Sequence, residues 1–352
     1  MKKLNLKIGI IIVILLTTIM FGCSDKEIVQ YDGQKDHAST EIESTKEGKA
    51  PSPLTGEWID EKIANRRPVS IMINNHRVAL PQSGISQADI LYEAITEGGI
   101  TRLVAVFQDF DAEKIGPIRS ARHYFLNIPL DHDAMYVHHG GSREAMDAIQ
   151  KLKPASLNTL SSLESIMTWR DPKRASQSGM LEHSLYTSAE RIHNGWENIG
   201  FRKELSEDTP RVFSFTDELN VIGEEATSVT IPFSQSYTSV FEYNIEKGIY
   251  VKSHHNQPHI DDNNNEQLTF KNIIIQYTDT NLINNGPRLD MKLVGQGEGI
   301  YITDGKATSI SWKKADTHTP TQFFDCDGNR LKLNRGKTYV ALFPSNRSVS
   351  YK

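Results

Sequence analysis

The spacing of apolar positions changes along this chain, and the changes divide it. Ile8 to Met20 is an apolar run broken only by Gly9, Thr17 and Thr18. From residue 24 to about 52 large apolar side chains nearly vanish, Ile28, Val29, Tyr31 and Ile42 being almost the only ones. Such a stretch buries too little apolar surface to offset its ordering entropy, so residues 23–53 read as a flexible tether. Pro51-Ser-Pro53-Leu-Thr-Gly56 marks the entry to a folded part.

Beyond that point, Val69-Ser-Ile-Met-Ile73, Leu103-Val-Ala-Val-Phe107 and Ala134-Met-Tyr-Val-His138 are apolar runs of strand length. Ser86 to Glu97 places apolar residues at 90, 91, 94 and 95, a spacing that predicts a helix stopped by Gly98-Gly99. Ser142 to Leu152 predicts another, with Ala145, Met146, Ile149 and Leu152 on one side. Strands alternating with helices predict an α/β N-terminal domain over residues 54–208.

From about residue 211 the texture becomes short runs: Val212–Phe215, Val229–Ile231, Val240–Tyr243, Gly248–Val251, Ile273–Tyr277, Met291–Val294, Gly299–Ile302 and Tyr339–Phe343. Asn285-Gly286, Asp304-Gly305 and Asp327-Gly328 are turn signals between them. Residues 209–352 therefore predict a mainly antiparallel β C-terminal domain. No fixed period links the runs, so neither a propeller nor a solenoid is supported. Each part is expected to be compact, with room for a substantial interface between them.

The N-terminus places the protein. Lys2, Lys3 and Lys7 precede the apolar run, and Met20-Phe21-Gly22-Cys23 follows it, so residues 1–22 have the layout of a bacterial secretory signal with a lipoprotein cleavage box. The run is shorter than the roughly 20 residues that cross a bilayer. Cys23 is the expected lipid attachment site, with a palmitate-type acyl anchor, and the body is expected on the outer face of the cytoplasmic membrane. Cleavage removes three lysines and no acid from a formal charge of −5, so the exported body is more acidic still and electrostatic nucleic-acid binding is disfavoured. With Cys23 acylated, Cys326 has no partner for an internal disulfide. Flanked by Asp325 and Asp327, its thiol is expected to be structural rather than nucleophilic.

The densest polar constellation is in the first domain, at three segments: Glu97-Gly-Gly-Ile-Thr-Arg102, Gly116-Pro-Ile-Arg-Ser-Ala-Arg-His123 and His138-His-Gly-Gly-Ser-Arg143. Gly140-Gly141 and a Ser142 helix cap would present N–H groups to an anion, and Arg102, Arg119, Arg122 and Arg143 would supply bidentate contacts. Surface pairing of these arginines with carboxylates is the bland alternative. Ser120 or Ser142 with His123 or His139 could form a nucleophile and base, but no third group follows from the sequence, and the spacing is not that of a nucleophile elbow. In the second half, His254, His255 and His259 with Asp261 to Glu266, and Asp325-x-Asp327-x-Asn329, have metal-type ligands. The calcium-loop glycine and the acidic twelfth residue are missing, so polar hairpin tips are expected and no metal or cofactor is assigned.

At these residues the chain resembles the YerB-like family of Gram-positive lipoproteins, whose two parts are domains of unknown function. The resemblance rests on Arg67 to Asn74, Pro81 to Gly84, Ala88 to Glu93, Glu97 to Arg102, Gly116 to Arg122, His139 to Gly141, His254 to Asp261 with its Pro258-His259-x-Asp261, Trp312-Lys313 and Asp327-Gly328, in order across both halves. It implies a membrane-anchored exported protein and carries no reaction. It singles out Glu93, Glu97, Arg102, Arg119, Ser120, Arg122 and His139. The expected function is binding of an anionic cell-envelope component, such as a wall polymer, or of an envelope protein. The alternative is an envelope enzyme acting on a phosphate-linked glycopolymer or a lipid-linked precursor.

Overall fold

The apolar run at Val69–Asn74 is a strand buried along its whole length, paired antiparallel to Thr101–Phe107 with Ile71 opposite Ala105, and parallel to Met135–His138. Burial on both faces explains why these strands read as continuous apolar runs rather than alternating ones. The structure, a computed structural model, describes residues 46–208, 210–217, 221–283 and 286–352. The expected signal segment, Cys23, most of the expected tether and Asn285 of an expected turn lie outside the described residues. The folded part begins earlier than expected, because Lys49–Pro51 pairs antiparallel with Trp58–Asp60.

The helix expected over 86–97 is not formed. Ile90–Ile95 is instead a fully buried strand, preceded by a short 3₁₀ turn at Ile85–Gln87. It lies between Thr101–Phe107, to which it is antiparallel, and Thr338–Pro344, to which it is parallel. Two ladders of backbone hydrogen bonds outweigh a helical spacing carried by only four apolar residues, a case of tertiary pairing overriding local pattern. The helix expected after Ser142 does form, at Arg143–Leu152, with the Ser142 hydroxyl accepting from the Ala145 N–H. Ala145 is buried against the core, while Met146 on the same helix stays exposed.

The architecture is α/β in the first part and mostly antiparallel strands in the second, and the two share one large sheet. Its order runs Lys306–Lys314, Gly295–Thr303, Asn272–Thr278, Thr338–Pro344, Ile90–Ile95, Thr101–Phe107, Val69–Asn74, Met135–His138, Ser156–Asn158, with Glu224–Glu225 beyond the first of these. The seam falls at Thr338–Pro344, where Ala341 stands between Ile275 and Glu93. A smaller sheet, built on Ser228–Ser234, Tyr237–Asn244 and Ile249–His254, packs on one face of the large sheet. That layer encloses Ile71, Leu91, Leu103, Phe233, Phe241 and Tyr339, and the Ala189–Ile199 helix adds Ile192 and Trp196 to it. The opposite layer holds Val104, Tyr124, Phe125, Tyr136, Tyr301 and Trp312. Residues 46–352 form one compact unit.

Candidate functional site

Arg102, Arg119 and Arg122 come together although they arise from different elements. Arg102 lies on the Thr101–Phe107 strand opposite Asn74. Arg119 and Arg122 belong to an extended segment that crosses the strand ends: the Arg119 N–H donates to the Met72 carbonyl, and the Ala121 N–H to that of Gly140. The segment is extended, and in that form it brings the pair together. Arg102 is 6% exposed and donates from Nη1 to the Ser120 carbonyl at 2.6 Å. Arg122 donates from Nε to Glu97 Oε1 at 2.6 Å, and Arg119 from Nη2 to Glu182 Oε2 at 2.6 Å.

Burial pulls the Arg102 guanidinium down to about 10, helped by repulsion from Arg122 and then Arg119. Among the described residues no carboxylate forms an ion pair with it. Glu97, whose partial burial would raise its pKa, is nonetheless held below the ordinary range by the Arg122 hydrogen bond, and Glu182 is held low by Arg119. Three guanidiniums thus face two ionised carboxylates. Beside them, the His183 ring stacks on His76 at 5.1 Å, and its Nδ1 bonds to Asn74 Nδ2 at 2.8 Å. Burial depresses both His183 and His139, so both imidazoles are neutral near pH 7.

Other expected members do not join this surface. Arg143 projects outward with 85% side-chain exposure, 4.0 Å from Asp147. His139 is tied by its main-chain N–H to the Arg119 carbonyl, but its ring bonds to Thr159. Two of the loop N–H groups expected to receive an anion are already used: Gly140 donates to Asn158 Oδ1 and Ser142 to the Ala121 carbonyl. His123, the other candidate base, pairs with Asp290.

Glu93 lies elsewhere, since neighbouring residues point to opposite faces of a strand and its cross-strand partner is Leu103 rather than Arg102. Its carboxylate is fully buried. Oε1 accepts from Asn75 Nδ2 at 3.2 Å and Thr101 Oγ1 at 2.7 Å; Oε2 accepts from Ser239 Oγ at 2.9 Å and Tyr339 at 2.8 Å. Lys252 Nζ stands 3.5 Å from Oε2 and donates to Ser239 Oγ and His259 Nδ1. Burial would raise the carboxyl, but Lys252 and these donors hold it at about 2. The group is a sealed structural network joining the two halves.

His254 and His259 are not the exposed hairpin tip expected of them. The tip is His255-Asn256, with φ of 53° and 59°, while His254 and His259 are each 2% exposed. Lys252 occupies the His259 Nδ1 lone pair and Asn75 faces His254 Nε2, which leaves neither nitrogen free for a cation. Asp261 is also structural: its carboxylate accepts from the Gly84, Ser86 and Asn263 N–H groups and ties the halves together. Asp325 accepts from the Asp327 and Asn329 N–H groups, as a hairpin turn requires. Cys326 is exposed, with Sγ 3.1 Å from the Ser309 carbonyl.

Sequence reasoning missed Glu182, His183 and His76 around the arginines, none of which sits in a recognisable motif, and gave no role to Asn74 at the end of the Arg67 to Asn74 stretch. It also missed Lys252, for which a signal existed. Tyr250, Lys252 and His254 occupy the inward positions of Ile249–His254, and a lysine at core parity demands a buried partner.

An α/β part and a β part fused through one sheet define a two-part fold, and comparison with known proteins agrees. Residues 54–202 match the family described as protein of unknown function (DUF3048), N-terminal domain, and residues 229–340 match its C-terminal domain. The chain belongs to this family. It is 31% identical over 306 residues to a Bacillus subtilis (strain 168) protein named "Putative lipoprotein YerB", covering 86% of this chain and 88% of that one. The crystal structure of YerB from Bacillus subtilis superposes with a TM-score of 0.75 at 29% identity, over 86% of this chain and 100% of the other.

Proposed function

We propose that this chain is an exported lipoprotein, anchored through Cys23 on the outer face of the cytoplasmic membrane, which captures a phosphate-bearing envelope component on the Arg102, Arg119 and Arg122 surface. The observation that carries this reading is Arg102, a nearly buried guanidinium held beside two others with no carboxylate paired to it among the described residues. A dianionic phosphate would relieve the mutual repulsion and accept planar bidentate bonds. Glu97 and Glu182 are held ionised by their arginines, which favours capture over proton transfer by an acid.

Titration calorimetry of the exported chain with a polyglycerol-phosphate polymer tests it. Arg119→Lys keeps the charge but loses the planar fork, so binding should weaken about fivefold, the equivalent of about 1 kcal/mol, with the melting temperature unchanged. Glu182→Gln removes the carboxylate that competes for Arg119, so binding should tighten. Unchanged affinity in both variants would refute the site.

A further inference from the structure

Asn74 stands directly opposite Arg102 in the ladder between Val69–Asn74 and Thr101–Phe107, so the two side chains leave the same face of the sheet at its end. The preceding residue, Ile73, is bridged to Ile118, which brings Arg119 alongside. Arg119 in turn reaches Glu182, donating to its carboxylate at 2.6 Å and to its carbonyl at 3.5 Å. The next residue is His183, whose ring bonds to Asn74 at 2.8 Å. Arg102, Arg119 and His183 are thus tied together through Asn74 and Glu182.

The bonds around Asn74 set the proton on His183. The His76 main-chain N–H can only donate, and it donates to Asn74 Oδ1 at 3.0 Å. The other end of that amide is therefore the nitrogen, and it donates to His183 Nδ1. With Nδ1 accepting, the neutral ring carries its proton on Nε2. His76 stacks on this ring at an interplanar angle of 28° and is itself held by accepting from the Val78 N–H. Burial keeps His183 neutral, and repulsion from Arg119, His76 and Arg174 adds to it against the pull of Glu182. The whole side chain is 91% buried, with 9% exposure, yet Nε2 is not sealed off and no group among the described residues accepts its proton. An oriented donor on a nearly buried ring, beside two guanidiniums, is the signature of a group built to meet an acceptor from outside.

We propose that His183 is a ligand-binding residue of the arginine surface, its Nε2–H donating to an oxygen of the phosphate that Arg102 and Arg119 hold, and that Asn74 is the positioning residue that keeps the proton there. The inference rests on the function proposed above and adds a neutral donor to the same site. Guanidiniums supply charge, while a neutral imidazole of fixed tautomer adds a directed bond without adding to their mutual repulsion. Because Asn74 donates to Nδ1, the ring can take up a second proton only by losing that bond. The donor therefore keeps one form across neutral pH.

The test uses the whole chain beyond the expected signal segment, with isotope-labelled histidine followed by NMR. His183 should show a protonated Nε2 and a bare Nδ1, and polyglycerol-phosphate should shift the Nε2–H signal saturably, with the midpoint found by calorimetry. His183→Phe keeps a ring under His76 and loses the donor, so binding should weaken about tenfold. His183→Gln restores an N–H donor and should recover most of that loss. Asn74→Asp turns the partner into an acceptor, so Nδ1 gains a proton and the ring becomes a cation. Affinity in that variant should tighten from about pH 8 to about pH 6 more steeply than in the unaltered chain. If the polymer binds and Arg119→Lys weakens it, while the Nε2–H signal stays fixed and His183→Phe binds normally, the role of His183 is overturned and the arginine surface stands. Equal losses in His183→Phe and His183→Gln make the ring structural and also overturn it. No binding by the unaltered chain defeats the proposed function itself, and this role with it.

Discussion

Glu93 and Lys252 meet at 3.5 Å with both side chains fully buried, one on a strand of the N-terminal family domain and the other within the C-terminal one. Desolvation makes such a pair poor evidence of net stability, but removing one member strands the other charge. Lys252→Met should therefore cost about 3 to 5 kcal/mol in urea unfolding. Adding Glu93→Gln should recover part of that loss, with a coupling of at least about 1 kcal/mol. Strictly additive effects would show that the two do not act as a pair.

The same groups predict lability to acid. Glu93 titrates at about 2 in the folded chain, below its ordinary value, so its contribution is complete above about pH 4.3 and is lost as the pH falls toward 2. That contribution is on the order of 3 kcal/mol. Burial lowers His132 to about 3, His138 to about 4 and His254 to about 3. The unfolded chain takes up these protons first, so stability should decline from about pH 6.5 downward by up to about 1.4 kcal/mol per pH unit for each histidine. Urea midpoints measured from pH 7.5 to pH 4.5 check this. A flat profile would contradict neutral, buried imidazoles.

Apolar runs bounded by turns placed Val69–Asn74, Thr101–Phe107, Met135–His138 and most of the later hairpins, because their burial patterns leave a direct trace in composition. Ile90–Ile95 was misread for a physical reason. A strand buried on both faces has no alternation, and its four apolar residues happen to fit a helical period. The arginine cluster was legible as three polar segments at strand ends, since main-chain bonds between those ends bring the segments together. Glu182 and His183 were not legible: they complete the surface from more than 60 positions downstream of Arg119, and a lone residue on a loop carries no periodic signal.

Anchoring can be tested apart from binding. If Cys23 is the acyl acceptor, as proposed, Cys23→Ser should leave the chain in the soluble fraction or accumulate it as an uncleaved precursor with its apolar segment retained. Cell fractionation with mass measurement of the mature N-terminus reads this out. A variant that is cleaved normally and still sediments with membranes would show that the anchor lies elsewhere.

Thr338–Pro344 fixes how far the two family domains can stand apart. It is the last long strand of the chain and lies parallel to both Ile90–Ile95 and Asn272–Thr278, so the ladder crosses from one domain to the other through it. Residues 54–208 expressed alone would expose the main-chain edge of Ile90–Ile95 and lose the smaller sheet that covers Ile71, Leu91 and Leu103. An unpaired, apolar strand edge is a template for aggregation, and the uncovered apolar face adds to it. A chain spanning both family domains should therefore unfold in one cooperative transition, while the 54–208 fragment should aggregate or remain unfolded. Circular dichroism melts and sedimentation of both samples decide the point. A soluble 54–208 fragment with its own sharp melt would show that the sheet closes without its last strand.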